Sequence, residues 1–445
     1  MIDLATFSPK RILVCQLRQI GDVVLATPSL ELLKRRYPEA ELHLFTEKKC
    51  ASLLEHNPYL DHVWALDKKA LDTFPRELAW YWKVARTGYD LVVDFQQLPR
   101  CRWVVAFSGA PVRLSYTPPW YTRLLYTHSI GMLDGYSAMS KASVLRPLGI
   151  TWNGERPRIW LTDEEHAAAR ALLAETGFRP DTQRLITLDP THRQPTRRWP
   201  LAHYAELVRL LAERDASLRF LPFWGPGEEE EIRELARRCP ADSLLLPSRM
   251  LSLREMASCI AEADLHIGNC SAPRHIAVAV GTPSLTVLGS TSPAWTFPAP
   301  EHAHIALNLP CQPCNRNHCA DPRCLTGMLP GPVADRALAM LKRYGRESGR
   351  ERGAFWKRRP FPSPNPSPSP RKLRPAGRLR RRSPVVWERL SFGRTSACLN
   401  KISEGPVSVP SRKMKRKRDL RVFSSVRLPG QPRPLLQEKP PAGIR

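Results

Sequence analysis

The chain has 445 residues, 42% of them hydrophobic, enough for two globular domains with sizeable cores. No run of 18 or more apolar residues occurs, so no membrane-spanning helix is expected. The formal charge of +26 suggests a nucleic-acid binder, but residues 346–445 hold 27 Lys and Arg against 6 Asp and Glu, leaving only +5 for the rest. The opening Met1–Lys10 carries Asp3 and lacks the basic start, apolar centre and small-residue cleavage site of a signal peptide, so a cytoplasmic protein is expected. In that reducing compartment the 11 Cys are not expected to form a disulfide framework.

In chain order, residues 11–16 read as a buried strand, followed by a loop and a helix over 25–37. Residues 41–46 and 89–95 are further strands. Thr162-Asp-Glu-Glu165 has the form of a capping box opening a helix that runs to about Thr176, with Gly177 at its stop. Strands follow at 185–188 and 218–223, helices at 228–239 and 253–262, and short strands at 265–268 and 284–288. Alternating strands and helices predict mostly parallel sheets covered on both faces, an α/β architecture of two domains, residues 1–160 and 161–345, facing a cleft. Residues 346–445, with Pro-Ser repeats and the basic run Arg412–Arg418, cannot bury enough apolar surface to offset ordering entropy, and a disordered Arg/Pro-rich tail is expected.

Gly21-Asp22 sits between a strand and a helix, at the kind of strand end where α/β sheets bind ligands. A carboxylate there can accept a proton from a sugar hydroxyl. Local context alone favours the plainer reading, in which Asp22 caps the next helix.

The run Arg11-Ile-Leu-Val-Cys-Gln-Leu-Arg-Gln-Ile-Gly-Asp-Val-Val-Leu-Ala-Thr-Pro-Ser-Leu30 resembles the opening of glycosyltransferase family 9, the lipopolysaccharide heptosyltransferases. Leu33–Pro38, His56–Asp61, Tyr89–Asp94, Pro190–Pro200 and Gly268–Pro283 fit the same family, to about residue 340. The resemblance implies a GT-B fold of two Rossmann-like domains, an N-terminal one for the acceptor and a C-terminal one for the nucleotide-sugar. It implies inverting transfer of a heptose from ADP-heptose to an inner-core sugar of lipopolysaccharide, with Asp22 as general base and no metal ion in the chemistry. The acceptor is then a lipid-anchored core oligosaccharide, and basic residues can hold the enzyme peripherally at the inner face of the cytoplasmic membrane.

In Thr191-His-Arg-Gln-Pro-Thr-Arg-Arg-Trp-Pro200, hydroxyl donors such as Thr191 and fixed cations suit a diphosphate leaving group, although a solvated basic loop would look the same. The family's basic residue two positions before Trp-Pro falls on Arg197, with Arg193 and Arg198 as secondary candidates. In Phe223-Trp-Gly-Pro-Gly-Glu228, Gly225 and Gly227 allow close approach of a ligand to the backbone. Glu228 can accept from ribose hydroxyls, or simply favour a helix N-terminus. Gly268–Pro283 resembles the family's donor loop, Asn-Asp-Ser-Gly-Pro-x-His, but carries Cys270 for Asp and Ala272 for Gly, which leaves the donor sugar open. Ser271 and the amides after it can meet phosphate, and His275 is either a packed helix residue or part of the donor site.

Cys311, Cys314, Cys319 and Cys324, with His318 among them, can enclose a structural Zn²⁺ or form a loop of free thiols, and an iron–sulfur cluster fits the spacing less well. Two alternatives to the heptosyltransferase reading stand: a transferase using another nucleotide-sugar, and a protein binding nucleic acid through its tail. The tail can also be an extension from an altered reading frame, without a selected role.

Overall fold

The run Ile12-Leu-Val-Cys15 shows no polar alternation, as expected of a strand buried on both faces. In the structure, a computed structural model describing residues 2–345, it belongs to β1 (Arg11–Cys15) in the interior of a six-stranded sheet. Ile12 and Val14 enter one core with Leu42, Leu44, Leu91 and Val93, whereas Leu13 and Cys15 enter another with Phe45, Val92 and Tyr81. Each large aliphatic side chain so buried stabilises the fold by about 1.5–3 kcal/mol, which makes β1 a firm platform for the loop that leaves it. The disorder expected of residues 346–445 lies outside the described residues.

The first sheet contains β1, β2 (Glu41–Glu47), β3 (His62–Leu66), β4 (Leu91–Asp94), β5 (Val112–Tyr116) and β6 (His128–Ile130), in the order β3-β2-β1-β4-β5-β6. All its pairings are parallel. The second contains β7 (Arg184–Asp189), β8 (Leu218–Pro222), β9 (Leu265–Gly268), β10 (Ser284–Val287) and β11 (His302–Ile305), also parallel, in the order β11-β10-β9-β7-β8. Each order reverses direction once, between β1 and β4 in the first and between β7 and β9 in the second. The carboxyl ends at such a reversal splay their loops apart and leave a crevice.

The helix expected over 25–37 forms as Thr27–Arg36, with Pro28 in its first turn, where a missing N–H leaves no intrahelical bond unmade, and the loop expected before it contains a further short helix, Ile20–Val24. The capping box at Thr162 forms as expected: Thr162 Oγ1 accepts from the Glu165 N–H and the Glu165 carboxylate from the Thr162 N–H at 2.8 Å, opening the helix Asp163–Glu175. The two halves are joined by apolar contacts. Val24 packs in a core with Ile260, Ile276 and Ala277, and Leu25 in another with Tyr136, Val278 and Phe297. Among the described residues no helix is long and apolar enough to cross a membrane.

Candidate active site

The loop after β1 leads into the short helix Ile20–Val24, and Asp22 is its third residue. Its carboxylate reaches back to the Gln19 N–H at 3.3 Å, so the capping reading is right in kind, with Gln19 rather than Asp22 at the cap position. Asp22 has a second partner that local sequence does not show. Lys141, buried on the helix Ser137–Ser143, places Nζ 3.1 Å from Asp22 Oδ1 and donates to Gln16 Oε1 at 2.9 Å. The aspartate is thereby fixed from both sides, by backbone and by a buried cation. A quarter of its side chain remains exposed, facing a cavity of about 840 Å³.

The opposite wall comes from the carboxyl ends of β7 and β9. Arg197 ends a 3-10 turn, Pro195–Arg197, inside the basic loop and lines the cavity with Thr191 and Arg193. The loop is braced from beneath. Asn269 accepts from the Trp199 N–H at 2.9 Å and donates to the carbonyls of Asp189 and Thr191, while fully buried Trp199 donates its indole N–H to the Met328 carbonyl at 2.8 Å. Neither Arg193 nor Arg197 has a carboxylate within 4.0 Å among the described residues. Arg198 differs: it does not line the cavity, and its guanidinium is held by Glu231 at 2.6 Å.

Gly225, Glu228, Cys270, Ser271, Ala272 and His275 also line the cavity. Glu228 Oε2 already accepts from Thr191 Oγ1 at 2.6 Å and the Gly225 N–H at 2.8 Å. A side chain at Gly225 would crowd that carboxylate at 3.1 Å, so this glycine makes room for Glu228 rather than for a ligand. Gly227 supplies a left-handed turn (φ +84°) and lies off the cavity. Ser271 precedes the helix Ala272–Val280 and hydrogen-bonds Asp189. Cys270, where the family carries Asp, is buried and accepts at Sγ from Arg274 at 3.2 Å; Arg274 also donates to Thr296 Oγ1 at 2.6 Å.

His275 is buried with Nδ1 unpartnered, and burial first, then the charges of Arg274 and Lys141, hold its pKa well below the usual imidazole value. It faces the first half directly: a Cβ on Gly21 would lie 2.8 Å from His275 Cδ2. Among the cavity residues that escaped sequence reasoning are Asp189 and His192, and Lys141, behind Asp22, escaped it too. Burial, reinforced by the charge of Glu228, pushes the Asp189 carboxyl up to about 7 against the lowering effect of Ser271. Burial, then the charge of Arg197, lowers His192 to about 4, so this imidazole is neutral beside the arginine.

The cysteines lie elsewhere. Cys311 and Cys319 are exposed, Cys314 is half-buried and Cys324 buried. Burial pushes the Cys324 thiol up and the charges of Cys311, Cys314 and Cys319 are felt there too, although among the described residues no three His, Cys, Asp or Glu side chains group as a metal shell.

Residues 80–324 match the profile of glycosyltransferase family 9 (heptosyltransferase). Lipopolysaccharide heptosyltransferase 1 of Pseudomonas aeruginosa is 27% identical over 366 residues, covering 74% of this chain and 98% of that protein. The crystal structure of a family 9 glycosyl transferase from Veillonella parvula superposes with a TM-score of 0.66 at 21% identity, covering 77% of this chain and 99% of that one. The E. coli heptosyltransferase WaaC, solved with ADP-2-deoxy-2-fluoro heptose, gives 0.56 at 19% identity over 74% of this chain and 99% of that one. These likenesses establish the GT-B arrangement of two Rossmann-like halves.

Proposed function

The chain belongs to glycosyltransferase family 9 and is a glycosyltransferase, and on that premise we propose that it moves a heptose, with inversion, from ADP-heptose to a sugar hydroxyl of a lipid-anchored lipopolysaccharide core. One observation carries the reading: an aspartate fixed by a buried lysine faces, across one cavity, arginines that have no carboxylate within 4.0 Å among the described residues. The acceptor hydroxyl gives its proton to Asp22 as its oxygen bonds to the anomeric carbon. On the far side the bond from that carbon to the diphosphate breaks, and the electron pair leaves with the nucleoside diphosphate. Arg197, with Arg193 and Thr191 beside it, meets the charge that develops there. Lys141 acts through Asp22 as a positioning residue, keeping the carboxylate aimed into the cavity. Trp224, Met250 and Leu251 offer an apolar wall for the nucleobase, and Glu228 retains one oxygen for a ribose hydroxyl. Support for ADP-heptose comes from WaaC, whose structure holds an analogue of it.

A second reading, transfer from another nucleotide-sugar, is favoured by Cys270 and by the buried Arg274 it contacts, since both stand in the donor loop. A thermal-shift panel of nucleotide-sugars separates the two, because a ligand bound only by the folded state raises its stability. Stabilisation by ADP-heptose is expected. A shift from UDP- or GDP-sugars with none from ADP-sugars would overturn the heptose assignment and leave the transferase reading in place.

A further inference from the structure

Among the described residues, seven of the twelve exposed large apolar side chains fall within one stretch, from Phe74 to Met132. Most join into one face. On the helices Phe74–Ala85 and Pro99–Ser108, Phe74 lies 6.4 Å from Trp103, Trp103 5.4 Å from Phe107, and Phe107 5.2 Å from Trp82, ring to ring. Arg102 carries the face onward, its guanidinium 5.6 Å over the ring of Tyr121 in the 3-10 segment Trp120–Leu125. There Trp120 is 87% and Leu124 94% exposed. Apolar surface this continuous, with the exposed Phe74, Trp82 and Trp103 joined through half-buried Phe107, marks a contact surface.

Charge decides the partner. The two acids on this face are already matched, Asp72 by Arg76 and Glu77 by Arg100. Lys83, Arg86, Arg102 and Arg123 are in no ion pair among the described residues, and Arg86 stacks 5.3 Å from the ring of Trp82. Indole and phenol rings surrounded by unmatched cations suit the headgroup region of a membrane containing anionic lipid. The face is also correctly placed. Trp120–Leu125 leaves the carboxyl end of β5, and the Asp22 loop leaves the carboxyl end of β1, with only β4 between them. Two strand spacings are about 10 Å, within reach of an oligosaccharide whose lipid lies in the bilayer.

We propose that this face docks the protein on an anionic bilayer, with Trp120, Tyr121 and Leu124 entering the interface beside the acceptor side of the cleft. The proposal draws on the lipid-anchored acceptor of the preceding section, but its test does not use the transfer reaction. Full-length protein and a Trp120→Ser, Tyr121→Ser, Leu124→Ser variant are sedimented with vesicles of phosphatidylethanolamine and phosphatidylglycerol, at moderate salt and at high salt, where attraction by the basic tail is screened. The side chains are exposed, so an unchanged melting temperature is the control for folding. About a tenfold loss of partitioning at high salt is expected for the variant, with loss of the quenching of tryptophan fluorescence by bromolipid. Replacing Arg86, Arg102 and Arg123 by Gln should weaken the preference for phosphatidylglycerol over phosphatidylcholine vesicles, with the basic tail supplying the remainder. Partitioning that is unchanged by the serine substitutions would overturn the proposal. So would a wild-type dimer that the variant dissociates, since the face would then be an interface between copies.

Discussion

On the β1 side of the cleft, the carboxylate of Asp22 shares a buried lysine; on the β7 side, Arg193 and Arg197 face the cavity with no carboxylate within 4.0 Å among the described residues, and Asp189 holds its proton up to about pH 7. Both sides are the same structural device, a loop leaving the carboxyl end of a parallel strand where strand order reverses. Topology therefore sets where the chemistry happens, and a few side chains at the strand ends set its sign. The carboxylate wall suits taking up a proton. The cationic wall, where Asp189 keeps its proton up to about pH 7 and Glu228 is engaged by Thr191 and the Gly225 N–H, suits a diphosphate.

The sharpest way to break this contrast is Asp22→Asn, which keeps the shape and removes the base. Turnover should fall by roughly 10²–10⁴-fold with donor affinity nearly unchanged, measured by product formation and by calorimetric titration of the donor. Retained turnover would take Asp22 out of its role. Arg197→Met should lower turnover by about 10²–10³-fold, and Arg197→Lys should recover part of it, because charge matters more than fork geometry for this leaving group. Lys141→Met comes next, at roughly tenfold or more in kcat with little change in donor KM, since mispositioning a catalytic group costs rate more than binding. Lys141→Arg, or a small amine added to Lys141→Ala, should restore part of it, which a purely structural lysine would not show.

The two walls should also differ in their response to pH. The Asp189 carboxyl is raised from the ordinary aspartate value to about 7, so the folded state binds its proton more tightly than the unfolded state does. That contribution is fully present below about pH 4 and is lost as pH rises through about 7. Asp189→Asn removes the titration, so its melting temperature should gain on the wild type between those limits and hold a constant lead above them. A gap that is flat with pH would show that Asp189 is ionised in the fold. The smallest effect on turnover is expected from Cys311→Ser with Cys319→Ser, whose thiols are exposed and do not line the cavity. A large fall in turnover, measured by product formation, would contradict that expectation.

Most interior strands were legible in the sequence because burial on both faces writes an apolar run, as in β1 and β4, whereas β5, broken by Arg113 and Ser115, was missed. β3 and β6 were missed for the converse reason: they are edge strands, largely half-exposed, and His62 or Ser129 interrupts any pattern. Most of the candidate donor residues converge on the cavity, because each follows a strand end that periodicity locates. Lys141 was not legible. It lies in Ser-Lys-Ala-Ser, which carries no local signature, and only the docking of its helix beneath the β1 loop brings it to Asp22. Asp189 was hidden as the last residue of an otherwise apolar strand. The aromatic face was hidden too, since Pro-Pro-Trp-Tyr reads as an ordinary loop until its exposure is known.

The contact of Gly21 with His275 has a consequence for tolerance. With no Cβ on one side and a ring edge on the other, the clearance between the halves is one hydrogen atom deep at this point, beside the base itself. It works as a gauge: the thickness of a single residue sets how near the proton acceptor stands to the donor loop. An added methyl group here would act as a shim, widening the gap for every substrate at once, so a mutation that touches neither sugar would be felt by both.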